Sequence, residues 1–158
     1  MRNKIKDSRI LITGGAGFIG SYVVEELLPL EPAKIIIVDN FIRGSEANMR
    51  KFAGHPRIEF HQGDIRDAVL MEKCIQGTDY VFHMAALRIN ACAAQPSDGF
   101  DVMLKATFQL AELCRKHQVK KVIYSSSASV YGLAQHFPTP ETDNPYNNQT
   151  FYGAAKLW

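Results

Sequence analysis

The stretch Ile10-Leu11-Ile12-Thr13-Gly14-Gly15-Ala16-Gly17-Phe18-Ile19-Gly20 decides how the rest of the chain is read. Three branched apolar residues in a row suit a short strand buried on both faces. The glycines then satisfy G-x-G-x-x-G through Gly15, Gly17 and Gly20, and G-x-x-G-x-x-G through Gly14, Gly17 and Gly20. A helical pattern runs from about Phe18 to Leu28 and stops near Pro29 and Pro32. A second run, Lys34 to Asp39, holds four consecutive β-branched residues. Strand, glycine turn, helix and strand in that order make a phosphate site. The turn is tight, a pyrophosphate must approach the backbone, and the positive helix end faces it. Asp39 closes the second strand about 20 residues past Gly20, placed to accept hydrogen bonds from an adenosine ribose. A carboxylate there repels the extra phosphate of NADP and so favours NAD, while Arg43 nearby points the other way.

Beyond this unit, short β-branched runs alternate with helical patterns, which predicts βαβ repetition and a parallel sheet. A polar loop and short helix lead to a third strand, Arg57 to Gln62. A helix follows from about Asp67 to Gln76, then a fourth strand from Asp79 to His83. The longest helix is expected from about Ser97 to His117, with Phe100, Met103, Leu104, Thr107, Ala111 and Cys114 at helical spacing. Val119 to Tyr124 is the fifth strand. Gly132 to Thr150 reads as a long loop rich in Pro and Asn, and a new helix begins near Phe151.

At 158 residues the chain has the length of one ordinary domain, residues 1–158, and 46% apolar with 22% charged residues suit a globular protein. A net charge of +2 is too small to argue for nucleic acid or an anionic membrane surface as partner. Arg2, Lys4 and Lys6 could open a targeting signal, but the apolar run after them is broken by Thr13 and the glycines. No apolar stretch approaches the roughly 20 residues that span a bilayer. The three cysteines, Cys74, Cys92 and Cys114, are far apart, odd in number and in helical segments, as expected of apolar thiols in a reducing cytosol. The five histidines have no ligand-like spacing with them, so no metal is expected.

Residues just past strand ends line the ligand crevice of an open parallel sheet. Asp64, in Gly63-Asp64-Ile65, could therefore meet an adenine amino group, with Ile65 against the ring; alone, such an acid more often caps a helix. Ala85 and Ala86 are small where a cofactor would cross the sheet edge, and His83 reads as a packed strand-end histidine. With Phe18 and Ile19 opening the helix and Asn40 following the acid, these residues complete the expected cofactor set.

Through these stretches together with Tyr152-Gly153-Ala154-Ala155-Lys156, the chain resembles the extended short-chain dehydrogenase/reductase family. Within it, the nearest likeness is to the NAD-dependent nucleotide-sugar epimerases of the UDP-glucose 4-epimerase type. The matching stretches are Thr13 to Gly20, Val38-Asp39-Asn40, Gly63 to Arg66, His83 to Ala86, Ser125 to Gly132 and Tyr152 to Lys156. The resemblance implies a Rossmann-type doubly wound sheet of order 3-2-1-4-5 that binds NAD. It also implies Tyr152 as the acid/base, Lys156 as the cation that assists it and grips the nicotinamide ribose, and Ser127 as the hydroxyl that orients the substrate oxygen. Tyr152 and Lys156, four apart, share one helix face. The family's 4,6-dehydratases carry Thr-Asp-Glu where this chain has Ser127-Ala128-Ser129, and elimination needs that extra acid and base. Epimerisation of a UDP-hexose is therefore the expected reaction, with a related reductase or a binding module without turnover as alternatives. In the long helix the family's Asn-x-x-Gly is replaced by Met103 and Ala106, which bears on how Lys156 is supported. The chain ends soon after Tyr152, so it is read as an N-terminal portion, lacking later strands and most of a sugar pocket. A homodimer is expected of the longer protein.

Overall fold

The computed structural model describes residues 2–143 and 147–158. In chain order the elements are α1 (Arg2–Ile5), β1 (Arg9–Thr13), α2 (Phe18–Leu27), β2 (Lys34–Asp39), α3 (Glu46–Arg50), β3 (Ile58–Gln62), α4 (Ala68–Ile75) and β4 (Tyr80–His83). They continue with α5 (Ile89–Ala94), α6 (Pro96–Phe100), α7 (Ala106–Lys116), β5 (Lys121–Tyr124) and α8 (Phe151–Leu157). The chain divides into two compact units, Met1–Ala85 with Gln109–Tyr124, and Ala86–Phe108 with Ser125–Trp158.

The first unit holds the whole sheet. All five strands are parallel, in the order β3-β2-β1-β4-β5. Alternation along β1 and β2 sends Ile10, Ile12, Ile35 and Ile37 to one face, where they pack with Val24 and Leu27 of α2 and with Phe52. Leu11 and Ile36, paired across the same two strands, are buried on the other face. Apolar residues on both faces are what the unbroken runs Ile10–Ile12 and Ile35–Val38 require. Strands β4 and β5 start one and two residues later than their apolar runs suggest. The Asp79 carboxylate accepts the Arg9 N–H at 2.8 Å and pairs with Lys120 at 2.8 Å, so both residues form an entry turn.

The second unit contains a helix the apolar pattern does not announce, α5. Its run Ile89-Asn90-Ala91-Cys92-Ala93-Ala94 is rich in a strong helix former and is closed off by Pro96. The expected long helix forms, but Asp101–Lys105 is a π turn between α6 and α7. That turn changes the buried face: Met103, Ala106, Leu110 and Cys114 are buried, whereas Phe100 and Ala111 of the expected stripe are exposed. The loop after Gly132 has no helix or strand among its described residues, and residues 144–146 lie outside them. No helix among the described residues is long and apolar enough to cross a membrane.

Candidate active site

In the first unit the glycine turn is a close meeting of backbones. Gly14 has φ +70°, and a Cβ there would lie 2.7 Å from the Ala85 nitrogen. A Cβ on Gly20 would lie 2.3 Å from the Gly14 carbonyl oxygen. Both positions need glycine for the fold itself. Gly17 differs: its missing Cβ meets only the Gly14 oxygen, at 3.1 Å, and otherwise faces open space. Gly17 is also the N-cap of α2 and offers no side chain to the first helical N–H groups. An uncapped helix start beneath an open glycine turn fits a dinucleotide pyrophosphate. Phe18 and Ile19, which open α2, are 76% and 61% exposed.

Asp39 ends β2 with its carboxylate nearly buried. One oxygen accepts the Ala16 N–H at 2.9 Å and the other the Phe41 N–H at 2.8 Å. The residue read as a ribose acceptor is therefore also the tie between the glycine turn and β2. Each oxygen keeps a second lone pair for a ligand hydroxyl. Asn40 donates to Asp64 at 2.9 Å, and Arg66 clasps the same carboxylate through Nε at 3.0 Å and Nη2 at 2.9 Å. The hydrogen bond from Arg66 is the main reason the Asp64 pKa lies below the usual carboxylate value. The helix-cap reading of Asp64 fails: Asp67 caps α4, accepting from the N–H groups of Val69 and Leu70 at 3.0 Å each. Ile65 is buried next to it, and Ala85 donates its N–H to Thr13 Oγ1 at 3.3 Å. His83 is a buried strand-end residue, hydrogen-bonded to Thr13.

In the second unit, which opens at Ala86, the turn Ala128–Tyr131 and helix α8 lie together. A Cβ on Gly153 would lie 2.5 Å from the Ser129 carbonyl oxygen, so the bare face of Gly153 lets α8 rest on that turn. Asn148 bridges them, donating to the Ser129 carbonyl at 2.9 Å and accepting the Thr150 N–H at 3.0 Å. Thr150 then caps α8 through the Gly153 N–H at 3.0 Å. Ser127 caps the turn: its Oγ accepts the Ser129 N–H at 3.1 Å, which leaves its own proton to give away. Tyr152 is half-buried on the first turn of α8. Lys156 is buried, and its Nζ donates to the Ser125 carbonyl at 2.7 Å. Burial pushes its pKa down to about 8, with Cys92 pulling weakly the other way. At the place of the family's Asn, Met103 is buried and its Sδ accepts the Leu87 N–H at 3.2 Å. Asn148, Thr150 and the Ser125 carbonyl were not read as part of the site. Thr150 carried a cap signal just ahead of the helix; the other two carried none.

The family model for the NAD dependent epimerase/dehydratase family matches residues 10–158. The chain belongs to this family. Among its relatives, a UDP-glucose 4-epimerase of Cyamopsis tetragonoloba is 38% identical over 158 residues, covering 94% of this chain and 44% of its own length. The crystal structure of UDP-glucose 4-epimerase from Bifidobacterium longum, in complex with NAD+ and UDP, superposes with a TM-score of 0.85 at 36% identity. That match covers 95% of this chain and 46% of the other. The dTDP-glucose 4,6-dehydratase of Streptomyces venezuelae, with NAD bound, gives 0.82 at 32% identity over 94% of this chain and 48% of its own. The chain thus spans under half the length of the relatives it matches, and the family holds both epimerases and dehydratases.

Proposed function

We propose that this chain is the NAD-holding portion of a nucleotide-sugar 4-epimerase acting on UDP-hexoses. The observation that carries the reading is the packing of α8 on the Ser127 turn through Gly153, which gathers Ser127, Tyr152 and Lys156 in one unit. Gly14, Gly17 and Gly20 with the start of α2 would hold the pyrophosphate. Asp39 and Asn40 would meet the adenosine ribose, and Asp64 and Ile65 the adenine. Ala85 and Ala86 would leave room at the sheet edge, and Lys156 would grip the nicotinamide ribose. Bound NAD supplies a hydride acceptor, and later donor, at the sugar C4.

Ser127 donates its remaining proton to the C4 oxygen and fixes its direction. Tyr152 takes the C4 hydroxyl proton and returns it once the ketone has presented its other face. Lys156, one turn along α8, supplies positive charge on the same helix face and is held there by the Ser125 carbonyl. Ala128, where the resemblance places the dehydratases' acid, carries no ionisable group, which favours epimerisation over loss of water. A second reading, in which the 158-residue chain binds NAD but turns nothing over, rests on its spanning under half the relatives' length. A cytosolic setting and a homodimer of the longer protein complete the proposal, the former resting on three free, buried thiols.

Two assays test this. The longer protein should interconvert UDP-hexose 4-epimers, and Tyr152→Phe should lower its kcat by about 100-fold or more. Near-normal turnover by that variant sinks the assignment. Measurable epimerisation by the 158-residue chain itself rules out the second reading.

A further inference from the structure

A buried polar group at the exits of β1 and β4 has no part in the chemistry above. Thr13 is 0% and His83 2% exposed, and Thr13 Oγ1 lies 2.6 Å from His83 Nδ1. The Ala85 N–H reaches the same Oγ1 at 3.3 Å, and the Met84 N–H donates to the Thr13 carbonyl at 3.0 Å. On the other side, the Gly14 N–H donates to the Val38 carbonyl at 2.8 Å. The His83 ring also stacks on Tyr124 of β5, with centroids 5.7 Å apart. The exits of β2, β1, β4 and β5 are thus joined in a row directly under the glycine turn. Gly14, whose backbone touches Ala85, stands on that row.

We propose that His83 is a positioning residue for dinucleotide binding, acting through Thr13 on the glycine turn. Thr13 Oγ1 shares one hydrogen bond with His83 Nδ1 and accepts the Ala85 N–H as a second. The bond fixes the β4 exit to the β1 exit. It thereby holds Gly14 to Gly17 in the shape that receives phosphate, before any ligand arrives. Affinity gained in this way comes from pre-organisation and not from contact. The inference rests on the reading of the turn as an NAD site.

Calorimetric titration of the full chain with NAD+ tests it, using His83→Phe, His83→Asn, His83→Gln and Thr13→Val. An asparagine oxygen reaches the place of Nδ1, whereas a glutamine oxygen overshoots it. His83→Phe and Thr13→Val should each weaken NAD+ by about tenfold, and together by little more than either alone. His83→Asn should stay within about threefold of the parent, and His83→Gln should resemble phenylalanine. In the NAD-free protein, the Gly14 and Ala85 amides should exchange with solvent about tenfold faster in His83→Phe than in the parent. Parental affinity in a folded His83→Phe overturns the proposal. If His83→Phe does not fold, equal affinities for the asparagine and glutamine variants overturn it instead. Failure of the parent chain to bind NAD+ overturns the NAD reading and, with it, the proposed role in binding. The amide exchange would then still show whether His83 controls the turn.

Discussion

Lys156→Met keeps the unbranched stem of the side chain, one atom shorter, and removes its charge at a position 4% exposed. Burial lowers the Lys156 pKa from the ordinary lysine value of 10.5 to about 8 in the folded chain. The unfolded chain keeps the ordinary value. Between about pH 8 and 10.5 the unfolded chain therefore holds a proton the folded chain has released, and stability rises with pH across that window. Below that window both states are charged and the fold bears the full cost of the buried ammonium. At roughly 1.4 kcal/mol per tenfold change in proton affinity, the cost is about 3 kcal/mol. The bond to the Ser125 carbonyl returns about 1–2 kcal/mol of this, which methionine forfeits. The variant should then be more stable than the parent by about 1–2 kcal/mol near neutral pH. Urea unfolding of both proteins from about pH 7 to 10.5 measures the difference, and the subtraction cancels the shared titrating groups other than Cys92, which interacts with Lys156. The advantage of the variant should shrink by about 3 kcal/mol across the window and change sign. A difference that stays flat with pH would refute the reasoning.

Other outcomes follow from single contacts. Gly132→Ala places a Cβ 1.7 Å from the Asn147 carbonyl oxygen at φ +59°. Its loss of stability in urea should reach about 3 kcal/mol or more. Gly54→Ala, at φ +72° with nothing within 4 Å, should cost only about 1 kcal/mol, the strain of the backbone alone. Asp67→Ala removes the α4 cap and should cost about 1 kcal/mol, whereas Asp64→Ala should cost about half that and instead weaken NAD+ in a binding titration. Thr150→Ala should destabilise the second unit by about 1 kcal/mol, seen as faster amide exchange along α8.

The sheet was legible because its signals are local and redundant. Lys34–Asp39 is apolar on both faces and bounded by Pro32 and an acid, and its limits agree with the structure to the residue. The order 3-2-1-4-5 followed from the family resemblance, not from any one strand. The π turn was illegible in principle, since a reading that assumes a constant helical period cannot see a change of period. Asp64 and Asp67 look alike in sequence. Which one caps the helix depends on where the first free N–H groups point, and that is a property of three dimensions. The site divides in the same way. The glycines announce themselves by type and spacing, whereas Tyr152 and Lys156 were legible only through the family resemblance. The parts beside them, the Ser125 carbonyl and the Asn148 bridge, are a backbone atom and an ordinary side chain whose use depends on the fold.

The turn over Asp101–Lys105 makes the surrounding helix count in two registers. Each π turn spends one residue more than the α turn it replaces, so the rows of side chains before and after it are offset by about 100°. A chemical staple or cross-link designed with ordinary helical spacing across those five residues would join side chains that point apart. Deleting one residue there would restore an ordinary α turn and leave the faces before and after it where they are. The helix thus has a place where its length can change by one residue without turning either of its flanking faces.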